Sequence, residues 1–181
     1  MEEHVLSPSA NKTLTDSLSS RLNELGMILP VPPTPLGAYV ESSDTEGLLF
    51  LSGMLPVVNG KLSISGRLGA NLSVEQGQEA ARIASLNALA VAKQHLGDLG
   101  CLKKLIKLTV LMVTTEQFIG HAPAADGASN LFVRIFGRDG HTRLVYGVQS
   151  LPLGAPVAVD TIFEIQPARQ SDAKSHKRKE L

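Results

Sequence analysis

The segment "PVAVDTIFEI", from Pro156 to Ile165, alternates in character residue by residue. Val157, Val159, Thr161, Phe163 and Ile165 form one largely apolar side, while Ala158, Asp160, Ile162 and Glu164 form a mixed one. Successive side chains of a strand point to opposite faces, so this segment needs an apolar layer against one face and a partly polar layer against the other. The chain must therefore build a sheet with helices on one side and something else on the second side. A second copy of the chain is the simplest candidate, because the aliphatic positions of "GLLFLSG" and "KLIKLTVLMV" would make the uncovered face too apolar to leave in water.

The helices are legible upstream. Leu14, Leu18, Leu22 and Leu25 fall on one helical stripe that stops at Gly26, which predicts a first helix over about residues 14–25. Ser73 with Gln76 three residues on reads as a capping box, and Ile83, Leu86, Ala90 and Leu96 continue that helix to Gly97. Leu131, Phe132, Ile135 and Phe136 give a third helix ending at Gly137. Between the first two helices, "AYVES" and "GLLFLSG" read as strands, and "VVNGKLSI" sets Asn59-Gly60 between apolar pairs, a strong hairpin signal. "KKLIKLTVLMVTT" reads as a central strand, and a further strand spans Arg143 to Gln149 before a turn at Leu151-Pro152. The order gives an α+β fold: a single mixed sheet packed on two main helices, with an extra N-terminal helix.

Composition narrows the function. The 181 residues suit one domain, expected over 14–166, between a flexible N-terminus at 1–13 and a flexible basic tail at 167–181. The 17 Lys and Arg balance the 17 Asp and Glu, and aromatics are only 4%, so no basic, aromatic-laced surface for nucleic acid is expected. Cys101 is the only cysteine, which excludes an intrachain disulfide and suits a reducing compartment. The start "MEEHVLSPSANK" lacks the pattern of a signal peptide, and no apolar run approaches the ~20 residues of a membrane span. A cytoplasmic protein is expected. His95, His121 and His141 show no metal-ligand spacing, and there is no P-loop, dinucleotide fingerprint or nucleophile elbow, so neither metal nor cofactor is expected.

One cation stands out in "GHTRLVYGVQSLPLGAPVAVD". Arg143 opens an apolar strand with little other charge nearby; it is either a strand arginine paired with a neighbouring acid or a ligand clamp. Together with "GAYVES", "LFLSGMLP", "SVEQGQEAARIASLNALAVAKQHLGDL" and "ADGASNLFVRIFG", this segment resembles the RidA/YjgF family of enamine/imine deaminases, in its longer-chain, endoribonuclease-like subgroup. The resemblance covers about residues 20–166 and implies a chorismate-mutase-like homotrimer of the bacillus type, with ligand clefts between subunits.

It also implies roles. Arg143 would pair with the carboxylate of a 2-imino acid, helped by the backbone N–H of Val145, and a planar guanidinium suits that task because it offers two parallel donors. Tyr39 and Ser52 match cleft-lining positions and can hydrogen-bond a substrate or a water. Asp126 stands where many relatives have asparagine, and it could equally be an acid facing a helix dipole. Where deaminating relatives carry a water-positioning glutamate, this chain has Ala158; Asp160 lies two residues along the same face and is the remaining candidate catalytic group. Two readings follow. One is a weak deaminase acting on small imino acids; the other is a non-catalytic trimer that keeps a carboxylate cleft for sensing or for a partner.

Overall fold

The longest helix begins where its capping signal places it. In the computed structural model, which describes residues 18–137 and 140–166, the Ser73 hydroxyl accepts the Gln76 N–H at 3.3 Å and the Gln76 side chain accepts the Ser73 N–H at 2.9 Å. Both donors would otherwise be orphaned at a helix start. Helix α2 then runs over Val74–Leu96 and stops at Gly97, whose φ is 76°. Helix α1 covers Leu18–Glu24 and ends just before Gly26, and α3 covers His121–Phe136, capped by Gly137. Residues 14–17 of the expected first helix and the expected mobile ends at 1–13 and 167–181 lie outside the described residues.

The described residues form seven strands: β1 (Ser42–Thr45), β2 (Leu48–Leu51), β3 (Val57–Val58), β4 (Lys61–Leu62), β5 (Leu102–Val113), β6 (Thr142–Val148) and β7 (Val157–Ile165). Five form one sheet in the order β1-β2-β7-β5-β6. Only β5 and β6 run parallel, joined by the α3 crossover; the other pairs are antiparallel, so the sheet is mixed and the fold α+β. The pair β3 and β4 is a separate hairpin that turns at Asn59 and Gly60, both at positive φ.

One element departs from the sequence reading. "AYVES" is not a strand before its last residue: residues 38–40 lie outside any strand, and β1 begins only at Ser42. The β-forming character of Tyr39 and Val40 is overridden because the preceding prolines and a local hydrogen bond, from the Leu36 N–H to the Tyr39 hydroxyl at 3.1 Å, curl this stretch. The polar "SSDT" makes the strand instead, through a two-residue turn at Glu46 and Gly47 that has positive φ at both positions.

The alternation of β7 is realised as expected. Val157, Val159, Thr161, Phe163 and Ile165 are all buried, and the cross-strand register puts Leu108, Val110 and Met112 of β5 beside them on the helix side. Ala158, Asp160 and Ile162 share the other side with Leu111, Thr109 and Lys107 of β5, and with Phe50 of β2. A small second core on that side gathers Leu55, Ala155 and Ala158.

Small residues let the helices close onto the sheet. Ala80, Ala81, Ala84, Ala88, Ala124, Ala125 and Ala128 are fully buried, and at Gly127 of α3 a Cβ would stand 2.0 Å from the Gln78 carbonyl oxygen of α2. Backbone atoms cannot yield as a flexible side chain can, so the two helices would have to separate. Gly127→Ala should therefore destabilise the protein by about 1–3 kcal/mol, the scale of an overpacked core, despite alanine's better helix propensity. Chemical denaturation would measure it, and an unchanged midpoint would contradict this account of the helix contact.

Candidate functional site

Arg143 lies on β6, an edge strand, in register with Leu108 and hence on the helix side of the sheet. Its Nη1 donates to Asp126 Oδ1 at 2.6 Å and to Ser129 Oγ at 3.1 Å, both from α3. Asp126 sits in the second turn of that helix, so its partner is the guanidinium and not the helix N-terminus. The two side chains are 25% and 46% exposed, which leaves the pair open to solvent. Nε and Nη2 of Arg143 make no hydrogen bond with the described residues, so two donors of the planar group remain unused. Val145, two residues on, packs its side chain against the core.

The remaining predicted residues lie elsewhere. Tyr39 lines a cavity of about 320 Å³ together with Pro33, Leu36, Leu55, Val57, Leu111 and Ala158. The register assigns Leu111 and Ala158 to the open side of the sheet, opposite to Arg143. One chain therefore cannot bring Tyr39 and Arg143 to the same small ligand from the two sides of its own sheet. Ser52 is not part of the cavity wall: its hydroxyl donates to the Val40 carbonyl at 2.7 Å and its N–H to the Glu41 carbonyl at 2.9 Å, so its single side-chain proton is committed to holding the segment that carries Tyr39. Asp160 is half-buried on the open side, paired in register with Thr109, and lies outside the cavity wall that Ala158 helps to form.

One lining residue escaped the sequence reading. Glu41 is the only carboxylate on the cavity wall, and burial pushes its carboxyl above the usual glutamate range. The available signal was its spacing: in a stretch read as a strand, Glu41 falls two residues after Tyr39 and so on the same face. Among the described residues no group of three His, Cys, Asp or Glu side chains comes together to hold a metal, and no helix is long and apolar enough to cross a membrane.

This architecture defines a class, and comparison with known proteins agrees with it. Residues 19–165 match the family described as "YjgF/chorismate_mutase-like, putative endoribonuclease". Protein TCP17 of Trypanosoma cruzi is 35% identical over 150 residues, covering 82% of this chain and 94% of that protein. Two crystal structures at 35% identity superimpose closely. One is Atu1372 of Agrobacterium tumefaciens, a protein of unknown function (TM-score 0.77, covering 84% of this chain and 95% of that one). The other, from Shewanella oneidensis MR-1, is described as a "putative endoribonuclease" (TM-score 0.79, covering 83% and 100%). The chain belongs to the RidA/YjgF family, with its chorismate-mutase-like fold.

His141 completes the surroundings of Arg143. Its Nε2 lies 3.0 Å from Ser129 Oγ, its ring meets Phe132 edge-on, and burial, with a smaller push from the Arg143 charge, holds its pKa below the ordinary histidine value. The folded chain thus binds this proton less readily than the unfolded chain. Its contribution to stability is complete above the ordinary histidine pKa and is lost as pH falls through that value towards the lower folded one. Wild type should therefore lose more thermal stability than His141→Gln on acidification from about pH 7 to about pH 5. Melting curves that run parallel across this window would contradict the assignment.

Proposed function

We propose that the protein is a RidA-like binder of small carboxylates, with clefts formed between the copies of a homotrimer, and that it hydrolyses enamine or imine acids weakly or not at all. The observation that carries this reading is the Arg143 guanidinium, which among the described residues is anchored through Nη1 alone and keeps Nε and Nη2 unbonded. A carboxylate suits two parallel N–H donors from a fixed plane. Because Arg143 and the Tyr39 cavity lie on opposite sides of the sheet, a complete cleft takes one side from each of two copies. The open face supports such an assembly: Phe50, Leu144 and Tyr146 are exposed there, alongside Ile162.

In imine hydrolysis, water adds to the C=N carbon and the nitrogen gains a proton; the carbinolamine then expels ammonia to leave a 2-oxo acid. Arg143 and the Val145 N–H would fix the carboxylate, but the position that would steer the water is Ala158, whose methyl group cannot polarise it. Asp160, two residues along the same face, is the carboxylate of β7 nearest in sequence to Ala158. Asp126 also offsets part of the Arg143 charge. The alanine favours binding over turnover, while the Asp126 carboxylate weakens the clamp. The second reading, a trimer that binds without catalysis, rests on the same alanine. The endoribonuclease description is not taken over, since balanced charge and 4% aromatics offer RNA neither a basic stripe nor stacking surfaces.

Arg143→Ala tests the clamp. Affinity for 2-oxobutyrate should fall by about 1.5–3 kcal/mol, the scale of hydrogen bonds to a charged group. The melting temperature and the trimer on a sizing column should survive, because an exposed ion pair is worth only about 0–1 kcal/mol. A variant that melts far lower, or dissociates, with unchanged affinity in the folded fraction, would make Arg143 a structural residue. For catalysis, 2-iminobutyrate generated in situ should be hydrolysed slowly or not at all; rapid turnover abolished by Arg143→Ala would establish a working deaminase instead.

A further inference from the structure

Ser42, Asp44 and His95 meet at the β1 edge of the sheet, on its helix side. Asp44 is in register with the fully buried Leu49, so it and Ser42, two residues before it, share the face that looks towards the helices, where His95 stands in the last turn of α2. His95 Nε2 is 2.9 Å from Asp44 Oδ1, and its Nδ1 is 2.9 Å from Ser42 Oγ. None of the three lies on the wall of the Tyr39 cavity.

The hydrogen bonds of this chain run in one direction. An ionised carboxylate can only accept, so the ring proton sits on His95 Nε2 and is donated to Asp44. Nδ1 of the neutral ring then holds the lone pair, and the Ser42 hydroxyl must donate to it. A serine whose proton already points at an imidazole, itself oriented by a carboxylate, has the arrangement of an activated nucleophile, with the two ring nitrogens in exchanged roles relative to the usual serine triad.

The backbone adds donors at the same place. Among the described residues β1 is an outermost strand and pairs with β2 alone. The Glu41 carbonyl accepts the Ser52 N–H, so the alternation of an antiparallel ladder turns the Ser42 and Asp44 N–H groups away from β2 and into the open edge. Free N–H groups beside a nucleophile are what a developing oxyanion needs. The His95 and Asp44 side chains are 26% and 52% exposed, which leaves the site within reach of a small molecule.

We propose that Ser42, His95 and Asp44 form a second site that hydrolyses short-chain activated esters, such as aryl acetates. Ser42 Oγ bonds to the acyl carbon as its proton passes to His95 Nδ1; the oxyanion then collapses, the bond to the leaving oxygen breaks, and the departing phenolate takes the proton from Nδ1. Water attacks the acyl-serine in the same way, giving up a proton to Nδ1 that returns to Ser42 Oγ as the carboxylic acid leaves. Asp44 is a positioning residue, since it acts through the imidazole. An open sheet edge offers no walls for a long acyl chain, which keeps the acyl group short. This site and the Arg143 clamp share no residue, so the two readings can fail independently.

The full-length protein treated with a fluorophosphonate should be phosphonylated at Ser42, as read by peptide mass mapping, and should hydrolyse p-nitrophenyl acetate. Ser42→Ala and His95→Gln should each lower kcat/KM by about 10²- to 10⁴-fold. Asp44→Asn, whose amide can donate to Nε2 and so reverse the ring tautomer, should lower kcat and leave KM unchanged. Ser43→Ala, on the opposite face of β1, should keep the wild-type rate. An unlabelled protein, a label on another residue, or hydrolysis that survives Ser42→Ala would overturn the proposal. So would variants that melt lower but keep the full rate, which is the behaviour of a clasp that only ties α2 to β1.

Discussion

The contact that the rest of the molecule depends on is the close approach of α2 and α3 at Gly127. No side chain separates that glycine from the Gln78 carbonyl, and the alanines around it keep both helices low on the sheet. Helix α3 is also the crossover between the parallel strands β5 and β6, so its position sets the relation of Asp126 and Ser129 to Arg143 on β6. Helix α2, in turn, carries the buried Asn87, whose amide donates to the Leu55 and Val57 carbonyls at 2.8 and 2.9 Å. That bond fixes the chain that forms part of the cavity wall on the other side of the sheet. A single helix contact thereby locates both halves of the candidate site.

The features that the sequence revealed were those fixed by local chemistry. The Ser73 and Gln76 capping box, the Asn59-Gly60 hairpin and the two-sided pattern of β7 each depend on a few adjacent residues, and each appears where those residues place it. Tertiary context decided the others. "AYVES" has the side chains of a strand, but proline and the Leu36–Tyr39 bond bend it, whereas the polar "SSDT" pairs with β2 because the Glu46-Gly47 turn returns the chain beside it. A glutamate at φ 46° carries no turn signature of its own, so this hairpin was hidden.

The site was legible to a similar degree. Arg143 could be singled out as an isolated cation in an apolar strand, but its bond to Asp126 spans 17 residues and two elements, beyond any local pattern. Ser52 was read as a ligand donor and serves the backbone of residues 40 and 41. Glu41 was one polar residue in a stretch read as a strand. Its place on the cavity wall arises only from the fold, which brings Leu111 and Ala158, distant in sequence, to the same cavity.

Electrostatics then divides the molecule. On the helix side of the sheet edge a guanidinium is partly balanced by Asp126, and on the open side the Glu41 carboxylate has no ion-pair partner among the described residues. The two differ in what they do to the fold. An exposed ion pair adds little to stability, so the Arg143 arrangement is nearly free of structural consequence and its unused nitrogens are its main property. Glu41 works the other way: a carboxyl that holds its proton more tightly when folded contributes most below the ordinary glutamate pKa, and that contribution is lost as pH rises through the folded value. At neutral pH the ionised group thus weakens the protein that carries it. The two groups are thus coupled to folding in different ways, even though one helix contact positions both halves of the site.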